Sequence, residues 1–459
     1  MGGRLVVVGG DAGGMAAATA ARRQDPNLDV VVLERGRWTS YSACGIPYLI
    51  GGEVKELEDL VVRRPQELRD SLGIDVRIRC EAKAVDLDAG KVEVRNFEQN
   101  RTFHLGFDLL HLGTGARPFR PPLPGIDLPF VAGVQTLDDA ASLLRLLNHA
   151  PSWAPAGIRQ VVVVGAGYIG LEVAEAFVRR KAAVTVVTNM PEVMNSIDPD
   201  MGAHVTRAMR GLGITVRCGV EVTGFEPGKV LTAAGALPAD LVVLGMGVAP
   251  NAELARDTGI ELGASGAVRV DRRQRTSHEA VYAAGDCCTS THLVSGDEVY
   301  VALGTVANKQ ARVAGTNLGG GYATFAGVLG TAVTKVCELE VARTGLNEAE
   351  AARAGFSASS PTVESTTTAG YLEAASPVWV KVVAEQGSGR VLGAQIVGRG
   401  PGSAKRIDVV ATALTARMTC AEVAELDLGY APPFSPVWDP VAIAARKAGA
   451  AARTVPGRG

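Results

Sequence analysis

No stretch of the 459-residue chain reaches the ~18 consecutive apolar residues a membrane-spanning helix requires. The first apolar run, Leu5 to Val8, is cut short by glycines, which argues against a signal peptide. Neither sign of charge is in excess. Lys and Arg number 46 against 48 Asp and Glu, for a formal net charge of −2, and no basic run offers a nucleic-acid surface. Cysteine is scarce and odd in number. Of the seven, only Cys287 and Cys288 adjoin; Cys44, Cys80, Cys218, Cys337 and Cys420 stand apart. That spacing fits neither a disulfide framework nor a zinc site. These absences together lead to the expectation of a cytoplasmic protein in a reducing setting, with no metal, membrane or nucleic-acid partner.

What the chain has in quantity is glycine, 55 residues without a collagen-like period, which in an α/β protein belongs in tight strand-to-helix turns. The length predicts roughly two to four domains. An internal repeat organises them. Residues 4–35 read as a short apolar strand, a glycine turn, an alanine-rich helix and a second strand, and residues 160–189 read the same way. Each is a βαβ unit, and their separation points to two nucleotide-binding domains. The proline-rich stretch 117–129 reads as a crossover between them. After residue 326 the texture changes. Strands are expected over Val378–Ala384 and Val391–Val397 and a helix over Ala404–Arg417, with Ile407, Val410, Ala411 and Leu414 on one face. The expected fold is therefore α/β, with two Rossmann-like domains and a C-terminal α+β domain. The expected boundaries are 1–118 and 249–325 for the first domain, 119–248 for the second, 326–448 for the third, and a disordered tail over 449–459.

In the first repeat the strand enters Gly9-Gly10-Asp11-Ala12-Gly13-Gly14. Gly9 suits a tight turn and Gly14 close helix–strand packing, so that a pyrophosphate rests on the helix N-terminus. Glu34 ends the second strand twenty residues after Gly14, where its carboxylate can accept from both ribose hydroxyls. Asp11 stands where the fingerprint has its middle glycine, and its charge costs energy beside a pyrophosphate unless the side chain turns away. In the second repeat Gly165-Ala166-Gly167-Tyr168-Ile169-Gly170 keeps all three glycines, and Glu172 follows on the helix. The second strand ends at Thr188-Asn189, with no acid to repel a 2′-phosphate and no arginine placed to attract one, so NADH and NADPH both remain open.

Two later segments complete a pattern: Leu109–Leu112 running into Gly113-Thr114-Gly115-Ala116, and Val281–Ala284 ending in Gly285-Asp286. Together with both fingerprints they resemble the pyridine nucleotide-disulfide oxidoreductase family. The resemblance implies FAD on the first domain and NAD(P)H on the second. It places Asp286 at the flavin ribitol and Thr114, Gly115 and Ala116 near the FAD phosphates. Tyr168 would gate the nicotinamide pocket and Glu172 would lie by the ring. Gly9, Gly10, Ala12, Gly14, Glu34, Arg35, Ser42 and Phe434 would line FAD, and Gly165, Gly167, Ile169, Gly170, Thr188 and Gly247 the nicotinamide nucleotide. Residues 245–251 resemble the family's Gly-x-x-Pro-Asn return strand, and residues 304–310 a further family run.

Ser40-Tyr41-Ser42-Ala43-Cys44-Gly45-Ile46-Pro47 follows the FAD acid. Dithiol members carry a second cysteine five positions on; here that position is Leu49. With Tyr430-Ala431-Pro432-Pro433-Phe434-Ser435 near the C-terminus, the chain resembles the single-cysteine subgroup, most of all coenzyme A-disulfide reductases and persulfide reductases. Oxidases and peroxidases of that subgroup usually place a histidine where this chain has Ala12, which favours thiol exchange. Many coenzyme A-disulfide reductases have Asn where this chain has Ala43.

The implied chemistry passes electrons from NAD(P)H through flavin to Cys44, whose thiolate attacks a disulfide or persulfide. Pro47 predicts a helix start beside Cys44, and such an N-terminus lowers a thiol pKa. Tyr430, from the partner of a homodimer, is the expected proton donor, with Tyr371 a second such tyrosine. Coenzyme A phosphates call for cations. Arg22 matches the subgroup's arginine, with Ser40, Tyr41 and Ala43 lining the same site; Arg64, Lys405 and Arg406 are weaker candidates. Cys287 and Cys288 read as core. No fused sulfur-transfer domain follows residue 448, so no built-in persulfide donor is expected; the expected partner is a small-molecule disulfide of coenzyme A type. The competing readings are an NAD(P)H oxidase or dehydrogenase using oxygen or another acceptor, and a flavin-binding sensor with little turnover.

Overall fold

The computed structural model describes residues 3–400 and 402–453. Strand β1 (Arg4–Val8), helix α1 (Ala12–Gln24) and strand β2 (Asp29–Leu33) form the first βαβ unit. They belong to a five-stranded parallel sheet ordered Val281–Ala283, Leu109–Leu112, β1, β2, Asp75–Arg77. Leu5 to Val8 are buried because both faces of the sheet are covered, Leu5 and Val7 by the helices that carry Ala17 and Ala314, Val6 and Val8 by a three-stranded antiparallel sheet through Val92, Val94 and Leu105, and a Val-rich run rather than an alternating one satisfies that burial. The two outlying strands, 109–112 and 281–283, come from segments on either side of the second domain in sequence. Beyond β2 the chain makes a short 3₁₀ turn over Ala43–Gly45 and then helix α2 (Ile46–Gly51).

The second unit comprises β3 (Gln160–Val164), α3 (Tyr168–Arg179) and β4 (Ala183–Val187). Its sheet is ordered Thr215–Arg217, β4, β3, Leu241–Leu244, Val131–Gly133, again all parallel. Helix α2 lies against α3: Gly51 approaches so near that a Cβ there would sit 3.4 Å from the Ala176 Cα. The cysteine loop of the first domain is thereby seated on the nucleotide helix of the second. Helix α4 (Gly304–Leu318) packs on α1 through Gly315, where a Cβ would meet the Ala17 carbonyl oxygen at 2.2 Å.

The C-terminal domain is an antiparallel sheet built on β5 (Ala332–Val336), β6 (Leu339–Gly345), β7 (Pro377–Glu385) and β8 (Val391–Arg399). The proposed strands over 378–384 and 391–397 lie inside β7 and β8. The expected helix over 404–417 is a 3₁₀ turn, Ala404–Arg406, followed by α5 (Ile407–Thr415), with Ile407, Val410, Ala413 and Leu414 buried. The expected tail is corrected in part. Helix α6 (Pro440–Arg453) continues to Arg453 because Ala444, Ala448 and Ala452 recur every fourth residue and bury in the core beside the sheet. Residues 454–459 lie outside the described residues. Among the described residues no helix is long and apolar enough to cross a membrane.

Candidate active site

The first glycine loop is built by close contact. Gly9 takes φ +108°, and a Cβ there would lie 2.1 Å from the Gly113 carbonyl oxygen; one on Gly14 would lie 1.8 Å from the Gly9 oxygen. Neither site admits a side chain. Glu34 accepts the Gly10 N–H on Oε2 at 2.7 Å and the Gly36 N–H on Oε1 at 2.5 Å, which fixes the carboxylate at the loop, and burial raises its pKa. Arg35 is exposed, 3.9 Å from Glu81. Asp11 does turn: its Oδ1 accepts the Tyr41 N–H at 3.2 Å, and burial pushes the carboxyl up to about 6. The hydrogen bond from Tyr41 turns the carboxylate away from the loop, and its raised pKa leaves only a minor fraction protonated at neutral pH.

Thr114 and Gly115 are held by Asn251, whose Nδ2 donates to the Thr114 oxygen at 2.9 Å while Thr114 Oγ1 donates to the Asn251 oxygen at 2.6 Å. Gly115 has φ +66°, and Ala116 opens a strand paired with Val248–Pro250. Asp286 Oδ1 is buried with no hydrogen-bond partner among the described residues, and burial pushes this carboxyl to about 6. An orphaned acceptor at the end of the central sheet fits a polyol hydroxyl, so the residues present suit FAD: Glu34 for its ribose, the glycine turn for its pyrophosphate and Asp286 for its ribitol. One supporting residue has no signal in the sequence. His111, fully buried on the neighbouring strand, places Nε2 3.1 Å from the Gly13 oxygen and braces the loop from behind.

Cys44 is exposed, on the 3₁₀ turn ahead of α2. Its expected activation by a helix start is corrected. Although the residue is exposed, neighbouring protein partly desolvates its sulfur, and this, then the charges of Glu172, Asp286 and Asp11, raises the thiol pKa, while its local backbone hydrogen bond lowers it. The chain surrounds this sulfur with carboxylates rather than cations, and the short helix beyond it does not compensate. Ala43 and Ser42 flank it, Ser42 donating its N–H to the Leu60 oxygen at 2.8 Å.

At the second loop Gly165 has φ +103° with the Gly245 oxygen 2.3 Å from its would-be Cβ, and Gly170 meets the Gly165 oxygen at 2.3 Å. Gly167 has nothing within 4 Å and faces open space. Tyr168 and Ile169 are half-buried on the first turn of α3. Glu172 Oε1 accepts from Thr334 Oγ1 at 2.5 Å, a bond from the C-terminal domain. Thr188 is buried, its Oγ1 accepting the Met190 N–H at 3.2 Å. Gly247, φ +88°, receives the Phe119 N–H on its carbonyl at 2.9 Å.

A cleft of about 450 Å³ opens between α1 and α4, lined by Ala12, Ser40, Arg23, Arg63, Asn308, Lys309 and Arg312 among others. Ser40 takes φ +48° and bonds across to the Gly10 oxygen at 2.8 Å, with Tyr41 beside it. The cations here are not those singled out in the sequence. Arg22 donates to the Pro26 and Gly73 oxygens at 2.7 and 2.9 Å, Lys405 pairs with Asp408, and Arg406 clamps the Thr367 and Phe434 oxygens, both at 2.8 Å. Arg64 begins the helix over Pro65–Leu72. The cleft cations come from three separate segments, Arg23 on α1, Arg63 ahead of the helix over Pro65–Leu72, and Lys309 with Arg312 one turn apart on α4, and only folding gathers them.

Tyr371, Tyr430 and Phe434 are 77%, 48% and 75% exposed, in loops joined by the Ala369 N–H donating to the Pro432 oxygen at 2.9 Å. Among the described residues no hydrogen bond joins either tyrosine to Cys44 in the same chain. Cys287 and Cys288 are buried, bonded to the Leu112 and Gly285 oxygens.

Two glycine cradles, an orphaned ribitol acceptor and a cysteine loop packed on the nucleotide helix define an oxidoreductase that carries FAD and takes electrons from NADH or NADPH. Residues 3–314 match the pyridine nucleotide-disulphide oxidoreductase family and residues 331–441 the dimerisation domain of that family. The chain belongs to this family. It is 36% identical over 451 residues to an NAD(P)H sulfur oxidoreductase (CoA-dependent) of Pyrococcus abyssi, covering 96% of this chain and 97% of that protein. It is 32% identical to an NADH oxidase of Methanocaldococcus jannaschii, over 97% of this chain and 98% of that one. Among solved structures, reduced CoADR-RHD of Bacillus anthracis superposes with a TM-score of 0.94 at 32% identity, covering 98% of this chain and 81% of that one.

Proposed function

We propose that this enzyme reduces coenzyme A disulfide or a related CoA-type persulfide, with Cys44 as the exchanging sulfur. The observation that carries the reading is the cationic cleft at Ser40 and Ala12, on the loop that leads to Cys44. Arg23, Arg63, Lys309 and Arg312 supply charge for the phosphates of a coenzyme A moiety, and they leave the disulfide end to the thiol.

Bound FAD supplies the two-electron link between NAD(P)H and sulfur. The chain's own part is thiol exchange. The Cys44 thiolate attacks one sulfur of the disulfide, a new S–S bond forms, and the other half leaves as a thiolate that takes up a proton. Two electrons and a proton then restore Cys44 and free the second thiol. With no second cysteine at Leu49, the bound substrate half is itself the resolving partner. The enzyme acts as a homodimer, the exposed Tyr371, Tyr430, Phe434, Val437 and Trp438 forming the contact face. Tyr430 of the second copy serves as proton donor to the leaving sulfur. Thr188 carries no charge to repel a 2′-phosphate, so both nucleotides are accepted.

The test is anaerobic turnover with coenzyme A disulfide. The Cys44→Ser variant loses thiol release while NAD(P)H still bleaches the flavin. Arg23→Gln and Lys309→Gln raise KM for coenzyme A disulfide and leave KM for NAD(P)H alone. A Cys44→Ser variant that still releases thiol overturns the reading. Rapid oxygen consumption with no thiol release in the native enzyme would favour an oxidase instead, in line with the NADH oxidase of Methanocaldococcus jannaschii.

A further inference from the structure

Residues 194–198 bridge the second glycine loop and the C-terminal sheet. At one end the Met194 N–H donates to the Ala166 oxygen, inside the glycine turn, at 2.8 Å. At the other, Asp198 is buried against the paired strands β7 and β8. Its N–H donates to Gln395 Oε1 at 2.6 Å, and its carboxylate accepts from Gln395 Nε2 at 2.6 Å and Lys381 Nζ at 3.3 Å. In the middle, the Ser196 carbonyl accepts from Arg343 Nη1 at 2.7 Å. That guanidinium is itself held by both oxygens of Glu350, at 3.0 and 2.6 Å. With one end pinned by the glycine turn of its own domain, and the centre and the other end by groups of the C-terminal domain, Ser196 has a fixed place. Its Oγ donates to the Tyr168 hydroxyl at 3.1 Å.

We infer that Ser196 is a positioning residue for Tyr168, holding the phenol in its closed place over the nucleotide site. NAD(P)H has to displace the ring, so this hydrogen bond weakens nucleotide binding and keeps the site covered between turnovers. The inference rests on the reading of Tyr168 as the gate. A neutral hydrogen bond of this kind biases an open–closed equilibrium by about 2- to 12-fold. When the closed form dominates, the apparent nucleotide affinity is reduced by the open fraction.

The test is the dissociation constant and KM of NADH and NADPH in the flavin-loaded enzyme, beside kcat and the KM for the disulfide. Ser196→Ala is expected to lower the nucleotide constants by about 2- to 12-fold with the disulfide KM unchanged. Ser196→Thr, which retains a hydroxyl, restores them. Tyr168→Phe gives the same fall, and the double variant falls no further than either single one. A merely structural lesion raises these constants rather than lowering them. If Tyr168→Phe tightens binding while Ser196→Ala does not, the positioning role is overturned and the gate stands. If Tyr168→Phe leaves the constants unchanged, the hydroxyl holds nothing and the positioning role is overturned; if Tyr168→Ala, which removes the ring, leaves them unchanged, the gate itself is overturned.

Discussion

Gly14→Ala tests the flavin cradle at its tightest point. The added Cβ starts 1.8 Å from the Gly9 carbonyl oxygen and 3.2 Å from a Val7 methyl, and ordinary contact begins at 3.4 Å. Helix α1 therefore has to back away from β1. It cannot do so freely, because α4 is pressed on its other side. There a Cβ on Gly315 would already lie 2.2 Å from the Ala17 oxygen and 2.7 Å from the Ala20 Cβ. Overpacking between two fixed surfaces costs about 1–3 kcal/mol. Because the displaced atoms are the N–H groups that face the pyrophosphate, that cost falls on the cofactor, as roughly 5- to 150-fold weaker FAD binding. The assay is flavin content after purification, with FAD titration of the stripped protein. Gly167→Ala is the control. Nothing lies within 4 Å of its Cβ, so flavin content and melting temperature stay native while KM for NAD(P)H rises, since only the nucleotide meets the new methyl. A Gly14→Ala protein that purifies with a full complement of FAD and native affinity refutes the steric argument.

Three further outcomes follow from charge. Asp286 has a folded pKa of about 6 against an ordinary 3.8. The flavin-free folded chain thus holds that proton more tightly than the unfolded one, and stability tied to this group is full below pH 4 and lost as pH rises through 6. The loss amounts to about 3 kcal/mol. Asp286→Asn should flatten that dependence in apoprotein melting curves while weakening FAD binding; an unchanged pH profile counts against it. Alkylation of Cys44 in the flavin-free protein should gain rate only on the alkaline side of an ordinary thiol, and Glu172→Gln should move that midpoint to lower pH because one of the raising charges is gone. An unmoved midpoint would show that burial alone sets it. Lys381→Met should cost about 3–5 kcal/mol in denaturant unfolding, since it strands Asp198, whose side chain is 3% exposed, without its cation. A loss below 1 kcal/mol would mean that Gln395 alone satisfies that carboxylate.

Local chemistry decided much of this protein before any fold was known. A Val-rich strand, a glycine turn that tolerates no Cβ and an acid twenty residues on can be read in order along the chain, because every part of a βαβ nucleotide cradle is close in sequence. The same holds for the lone Cys44 without a partner at Leu49, and for the strands within β7 and β8. Three matters were settled only in three dimensions, where groups distant in sequence meet. The cations of the cleft are Arg23, Arg63, Lys309 and Arg312 rather than Arg22, because Arg22 turns to the Pro26 and Gly73 carbonyls while folding brings α1, α4 and the loop of Arg63 together. The Cys44 thiol is raised, not lowered, first because folding desolvates the sulfur and then because Glu172 and Asp286 arrive beside it from remote segments. Ser196 reaches Tyr168 because Arg343 and Glu350, on another domain, hold its backbone in place. Spacing along a chain reports covalent neighbours, while electrostatic fields and side-chain positions are sums over all that folding gathers around a point.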